Sequence, residues 1–164
     1  MEKIIDKISE YEIVNNIIPG AVYIYILNHI CTIQFKDEGV IQTIIMSYFI
    51  GVVIGRIGSL CMEPIMKKLK LISHADYSKF IDAEKSDNKI QILLRVANMY
   101  RTFMSMMLLI LITKLLDMWM IKCPVVKGVA LWVVITLGIL LFFAAFAKQT
   151  KIIKKRVEKA CEED

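Results

Sequence analysis

No C-x-x-C pair links the four cysteines, Cys31, Cys61, Cys123 and Cys161, which lie scattered along the chain. Structural zinc sites draw their ligands from short spacings, and disulfide frameworks belong to small secreted domains. The thiols are therefore expected to be idle or buried. Only two histidines occur, His29 and His74, and no second His, Asp or Glu lies at helical spacing around His29. No metal and no cofactor is expected. There is also no glycine-rich phosphate loop, no carboxylate pair in a polar pocket and no nucleophile with a histidine partner. These absences speak against an enzyme. The opening Met1-Glu2-Lys3 lacks a short apolar run ending in small residues, so no cleavable signal is expected.

Long apolar runs are what the 164 residues do have. The chain is 57% hydrophobic, yet 23% of its residues are charged, so the charge must be segregated from the apolar runs. A soluble chain spreads charge through every amphipathic element; segregation on this scale marks a membrane protein. The net charge of +5 fits an anionic membrane surface better than nucleic acid, because the basic residues flank apolar segments.

Residues 2–12 place Ile4, Ile5, Ile8 and Tyr11 on one helical face, which describes a short amphipathic helix. Pro19-Gly20 must bend or restart the helix that follows, since proline lacks an N–H donor. The apolar run after it, to Phe35, is interrupted by Asn28, His29 and Gln34 and is the weakest span. Lys36-Asp37-Glu38-Gly39 form a polar turn, and Val40 to Leu60 is long enough to cross the hydrocarbon. Residues 61–102 are polar and mixed in charge. Ser73 with Asp76 resembles a capping box, and Ser86 or Asp87 could cap a second helix from about Asn88. That helix runs into a third span, Phe103 to Ile121, which Cys123-Pro124 ends. Val129 to Ala147 is the cleanest span.

The expected architecture is all-α: a polytopic helical membrane protein with about four transmembrane helices and a cytosolic helical layer. Residues 1–60 hold the amphipathic helix and two spans, 61–102 the cytosolic helical segment, 103–147 two further spans and 148–164 a charged cytosolic tail. Segments 61–102, 148–164 and the N-terminus carry sixteen Lys and Arg, and the two short loops three. By the positive-inside rule both termini face the cytoplasm. Three spans, with the first segment re-entrant or interfacial, is the alternative.

Several residues stand out. Ser47, Gly51, Gly55 and Ser59 recur at intervals of four, a face of small residues for close helix packing within one chain or between copies. Arg56 near the end of that span snorkels to headgroups, lines a pore mouth or pairs with Glu63. Lys114 and Asp117, three apart, are expected to pair. Tyr25, Asn28, His29 and Thr32 form a polar stripe that must face other helices or water, so Asn28, His29 and Thr32 join Arg56 as candidate pore-lining residues. Met99, Met104, Met106 and Met107 are expected to fill the core or form a gate that repacks. In segment 61–102 Tyr77, Phe80 and Tyr100 accompany eight basic residues, but acidic and amide residues are interleaved. That describes a solvated face, and direct nucleic-acid binding is not expected. Arg95, Asn98 and Arg101 are the candidate cytosolic contact.

The order Tyr11-Glu12, Asn15-Asn16 and Pro19-Gly20, then apolar spans around a polar helical middle containing Asn98-Met-Tyr-Arg101, resembles the small accessory membrane proteins of type VI-B CRISPR systems. The resemblance implies a homo-oligomeric pore in the bacterial inner membrane that strengthens antiviral defence alongside an RNA-guided ribonuclease. That ribonuclease would be a functional partner rather than a stably bound one. The group has also been linked to an Arg followed four to six residues later by His, which this sequence lacks. The rival functions are a non-conducting membrane scaffold that recruits a cytosolic partner and a small transporter. The transporter is disfavoured by the lack of an inverted repeat or broken-helix pair.

Overall fold

Proline shapes the first two helical stretches in the same way. The computed structural model describes residues 11, 13–32, 35, 39–73, 77–87, 89–122 and 125–162. A π-helical turn, Ile13–Ile17, leads into α1, Ile18–Ile30, with Pro19 in its first turn. A second π-helical turn, Gly58–Met62, joins α2, Val40–Ile57, to the short α3, Glu63–Lys68, with Pro64 in the first turn. Each π turn therefore ends two residues before a proline. The proline ring clashes with the carbonyl four residues back, and a wider turn moves that carbonyl aside without breaking the helix.

Gly39 starts α2 with φ of 122°, a backbone that L side chains rarely adopt. Its carbonyl accepts from both the backbone N–H and the hydroxyl of Thr43. α3 closes on Lys70 with φ of 58°. Lys70 N–H bonds the Lys67 carbonyl and Leu71 N–H bonds the Met66 carbonyl, the two bonds of a Schellman motif. α4 is Tyr77–Ser86. Asp87 then accepts from Lys89 N–H at 2.9 Å, so of the two residues expected to cap the next helix it is Asp87 that turns the chain. α5, Lys89–Lys122, runs unbroken for 34 residues, and α6, Val125–Glu162, for 38.

At 1.5 Å per residue α5 is about 51 Å long and α6 about 57 Å, against about 30 Å of hydrocarbon. Both are far longer than one crossing of a bilayer requires. The expected tail from Lys148 is no separate piece, because α6 continues through it. The chain is all-α among the described residues. Among the described residues three stretches are long and apolar enough to cross a membrane: Val40–Lys68, Lys89–Ile121 and Trp132–Lys155. The first apolar segment, around α1, is not among them. The N-terminal residues 2–10, the turn at 36–38, His74, Asp76, Asn88 and Cys123-Pro124, on which several sequence expectations fall, lie outside the described residues.

Cross-contacts give the helix directions. Asn15 meets Thr102, Tyr23 meets Thr113 and Thr32 meets Asp117, so α1 and α5 run parallel. Gly20 faces Ser47 and Gly51 faces Asn16, so α2 runs antiparallel to both. Phe142 lies beside Phe49, and Lys148 beside Ser59, so α6 runs parallel to α2. Apolar side chains cover the outside: Trp132, Phe143 and Phe146 are each more than two-thirds exposed. Ser47, Thr102, Ser105 and Asp117 are buried. Polar inside and apolar outside is the arrangement that lipid selects. Of the methionine cluster, Met106 is buried, whereas Met104 and Met107 are exposed.

Candidate functional site

Polar contacts between the helices form a seam along the first helical stretch and α5. At the end where α1 stops, Asp117 is 3% exposed, and its Oδ2 accepts from Thr32 N–H at 3.1 Å and Thr32 Oγ1 at 3.2 Å. Lys114 Nζ donates to the Ile30 carbonyl at the same helix end. A cation there suits the negative end of the α1 dipole. The expected Lys114–Asp117 pair exists only at 3.9 Å, because each side chain has better work across the helix boundary. Asn28 donates to the Phe35 carbonyl and accepts from its N–H. His29 is exposed, its Nδ1 2.8 Å from the Tyr25 carbonyl. Tyr23 meets Thr113 Oγ1 at 2.8 Å in the middle of the seam.

Toward the other end the helices touch backbone to backbone. A Cβ added at Gly51 would lie 1.8 Å from the Asn16 carbonyl oxygen, and one at Gly20 1.8 Å from that of Ser47. At Gly58 an added Cβ would lie 2.7 Å from the buried Ser105 hydroxyl, whereas at Gly55 it would meet only Thr102 Oγ1, at 3.8 Å, among the described residues. The small-residue face of α2 is thus occupied within one chain. Ser47 and Gly51 meet α1, Gly55 faces α5, and Ser59 binds α6. Thr102 donates to Asn15 Oδ1 at 3.1 Å.

A carboxylate gathers the cations at this end. Glu63 Oε1 accepts from Lys67 at 3.0 Å, and Oε2 accepts from Arg101 at 3.0 Å and from Lys148 at 3.5 Å. Lys148 also donates to the Ser59 carbonyl at 2.7 Å and hydroxyl at 2.8 Å. The Glu63 side chain is 14% exposed and its partners are more open, so each pair contributes about 1 kcal/mol or less. The value of the group lies in joining α3, α5 and α6 at one point. Arg95, six residues before Arg101 on α5, holds its guanidinium 5.7 Å from the Tyr11 ring centroid. The basic-rich ends therefore share one end of the bundle.

Of the three readings offered for Arg56, the pairing with Glu63 is not found. Glu63 is held by Lys67, Arg101 and Lys148, while Arg56 is exposed and bonds no described residue. Of the candidate contact residues, Arg95 covers Tyr11, Asn98 accepts from Thr102 through its carbonyl, and Arg101 binds Glu63. Lys148 and Thr102 were not singled out from sequence, since helical spacing carries no signal for a partner more than 80 residues away. Among the described residues no group of three or more metal-binding side chains comes together. No protein family, curated relative or solved structure matches this chain.

Proposed function

We propose that this chain is a four-span membrane protein that assembles with copies of itself into a pore or membrane-perturbing effector, with a role in CRISPR-associated antiviral defence. The fourth span is the first helical stretch. From Ile13 to Ile30 it covers 18 helical residues, about 27 Å, and it runs beside α5 from the level of Thr102 to that of Asp117. Its asparagines pair within the protein, which removes the cost that kept it from reading as a span. The cluster around Glu63 then lies on the cytoplasmic side, with the basic residues. The residues that carry the resemblance to type VI-B accessory proteins are packing residues here. Asn15 binds Thr102, Asn16 and Gly20 make the closest helix contacts, and Arg101 binds Glu63.

Arg56 is the observation that carries the pore reading. A charge on a membrane helix faces water, protein or a headgroup, and this one has no partner among the described residues of its own chain. With the polar seam closed within the subunit, a conduit runs between subunits, where symmetry repeats Arg56 as a ring that favours anions. Reversal potentials under a salt gradient test this. Arg56→Glu inverts the preference and Arg56→Gln weakens it. Equal reversal potentials in all three proteins remove Arg56 from the lining. A second reading, a non-conducting scaffold, is favoured by Ile92 and Leu93, exposed on the charged stretch of α5 before its apolar part. Absence of conductance in the wild type, with a cytosolic partner supplied, would support it.

A further inference from the structure

α6 has little to hold it by packing. Along Trp132–Lys155 only Ala145 is buried, and the ring contact with the bundle is the tilted pair of Phe142 and Phe49 at 6.2 Å. Its hydrogen bonds to other helices, among the described residues, converge on the single ammonium of Lys148.

The acceptor that Lys148 uses at 2.7 Å is unusual. Inside a helix the Ser59 carbonyl would accept from the N–H four or five residues on. Glu63 N–H, four residues on, is committed to the Gly58 carbonyl in the π turn. Residue 64, five on, is proline and has no N–H. The proline thus leaves one carbonyl without an intrahelical donor, and a carbonyl at membrane depth requires another partner. Lys148 provides it, and its two remaining N–H donors reach Ser59 Oγ and Glu63, so all three donors of the ammonium are used.

We propose that Pro64, through the Ser59 carbonyl, and Lys148 form a joint that docks α6 onto the bundle at its charged end. This does not depend on the pore reading, since the joint lies within one chain. Glu63 sets the charge around the joint but also binds Lys67 and Arg101, so it stays in place when Lys148 is removed.

The test is a distance measurement in the full chain, reconstituted in lipid, with spin labels at the exposed positions Ile45 on α2 and Phe146 on α6 and the four cysteines replaced. The unsubstituted joint gives one narrow distance peak. Lys148→Met loses that peak while helix content is unchanged. Pro64→Ala restores an N–H to the helix, which takes the Ser59 carbonyl from Lys148, so this variant also broadens the peak although α2 and α3 become a more regular helix. An unchanged peak in Lys148→Met overturns the joint. Should Lys148→Met fail to fold, Pro64→Ala decides alone: an unchanged peak there overturns the proposal, and a broadened peak in a well-folded protein upholds it.

Discussion

Gly51 and Asn16 lie so close that a methyl group on the glycine would sit 1.8 Å from the asparagine carbonyl oxygen. The obstacle is backbone, so it cannot turn aside as a side chain would. Gly55, one helical turn on, keeps an added Cβ 3.8 Å from Thr102 Oγ1, an ordinary contact. Gly51→Ala is therefore expected to destabilise the protein by about 1–3 kcal/mol or more, the usual scale of overpacking, while Gly55→Ala stays within about 0.5 kcal/mol of wild type. Thermal unfolding in detergent checks both. Equal effects in the two variants would mean that the helices do not touch at Gly51.

Asp117 ties the end of α1 to α5 through both donors of Thr32. Asp117→Ala leaves the buried end of this contact without its acceptor and is expected to cost about 1–3 kcal/mol. Asp117→Asn keeps an oxygen acceptor and loses less. Hydrogen exchange at the Thr32 amide reads the contact directly, rising in Asp117→Ala more than in Asp117→Asn. Unaltered exchange would remove Asp117 from this role.

Lys70 holds a left-handed backbone at the end of α3 that glycine adopts without steric cost. Lys70→Gly is expected to raise stability by up to about 1 kcal/mol, the steric gain being reduced by the greater freedom of glycine in the unfolded chain. Lys70→Val should move stability the other way. A higher Tm for the valine variant than for the glycine variant would contradict the left-handed assignment.

The bundle places Glu63, Arg101 and Lys148 at one end and Thr32 and Asp117 at the other. Cysteines introduced at the exposed Lys89 and Lys155, in a chain with its own cysteines replaced, should react together or not at all with an impermeant thiol reagent in intact cells. On the proposed orientation, with the basic end facing the cytoplasm, both react only after permeabilisation. Labelling of one and protection of the other would break the shared-end arrangement itself.

Much of the local structure is legible in the residues. Pro19 marks the first interruption, Gly39 the start of α2, and Asp87 the entry to α5, because each acts through its own backbone or its near neighbours; at Pro64, the second interruption, the sequence shows only an apolar run giving way to a polar segment. That the interruptions are π turns rather than kinks is not written in the prolines alone. The helix continues through them because contacts on α1 and α2 hold both sides in line. The interval-of-four face on α2 announced close packing without naming its partner. Lys114 and Asp117, three apart, do pair at 3.9 Å, yet both also turn to the end of α1, whose free carbonyl and N–H groups no helical spacing reveals.

From sequence alone follow the segregation of charge from apolar runs, three of the four expected spans at spanning length, and the gathering of basic residues in the segments between and after them. Hydrophobicity and helical periodicity are local properties, and chain order carries them fully. Tertiary structure alone decided that α1 lies parallel to α5, that the glycine face of α2 closes against Asn16 and Gly20, and that Glu63 gathers Arg101 and Lys148 while Arg56 is left outside. These outcomes depend on the rotation and register of whole helices. Register is set where backbones meet without side chains between them, and a shift of one residue turns a helix by about 100°, so every polar partner would change together.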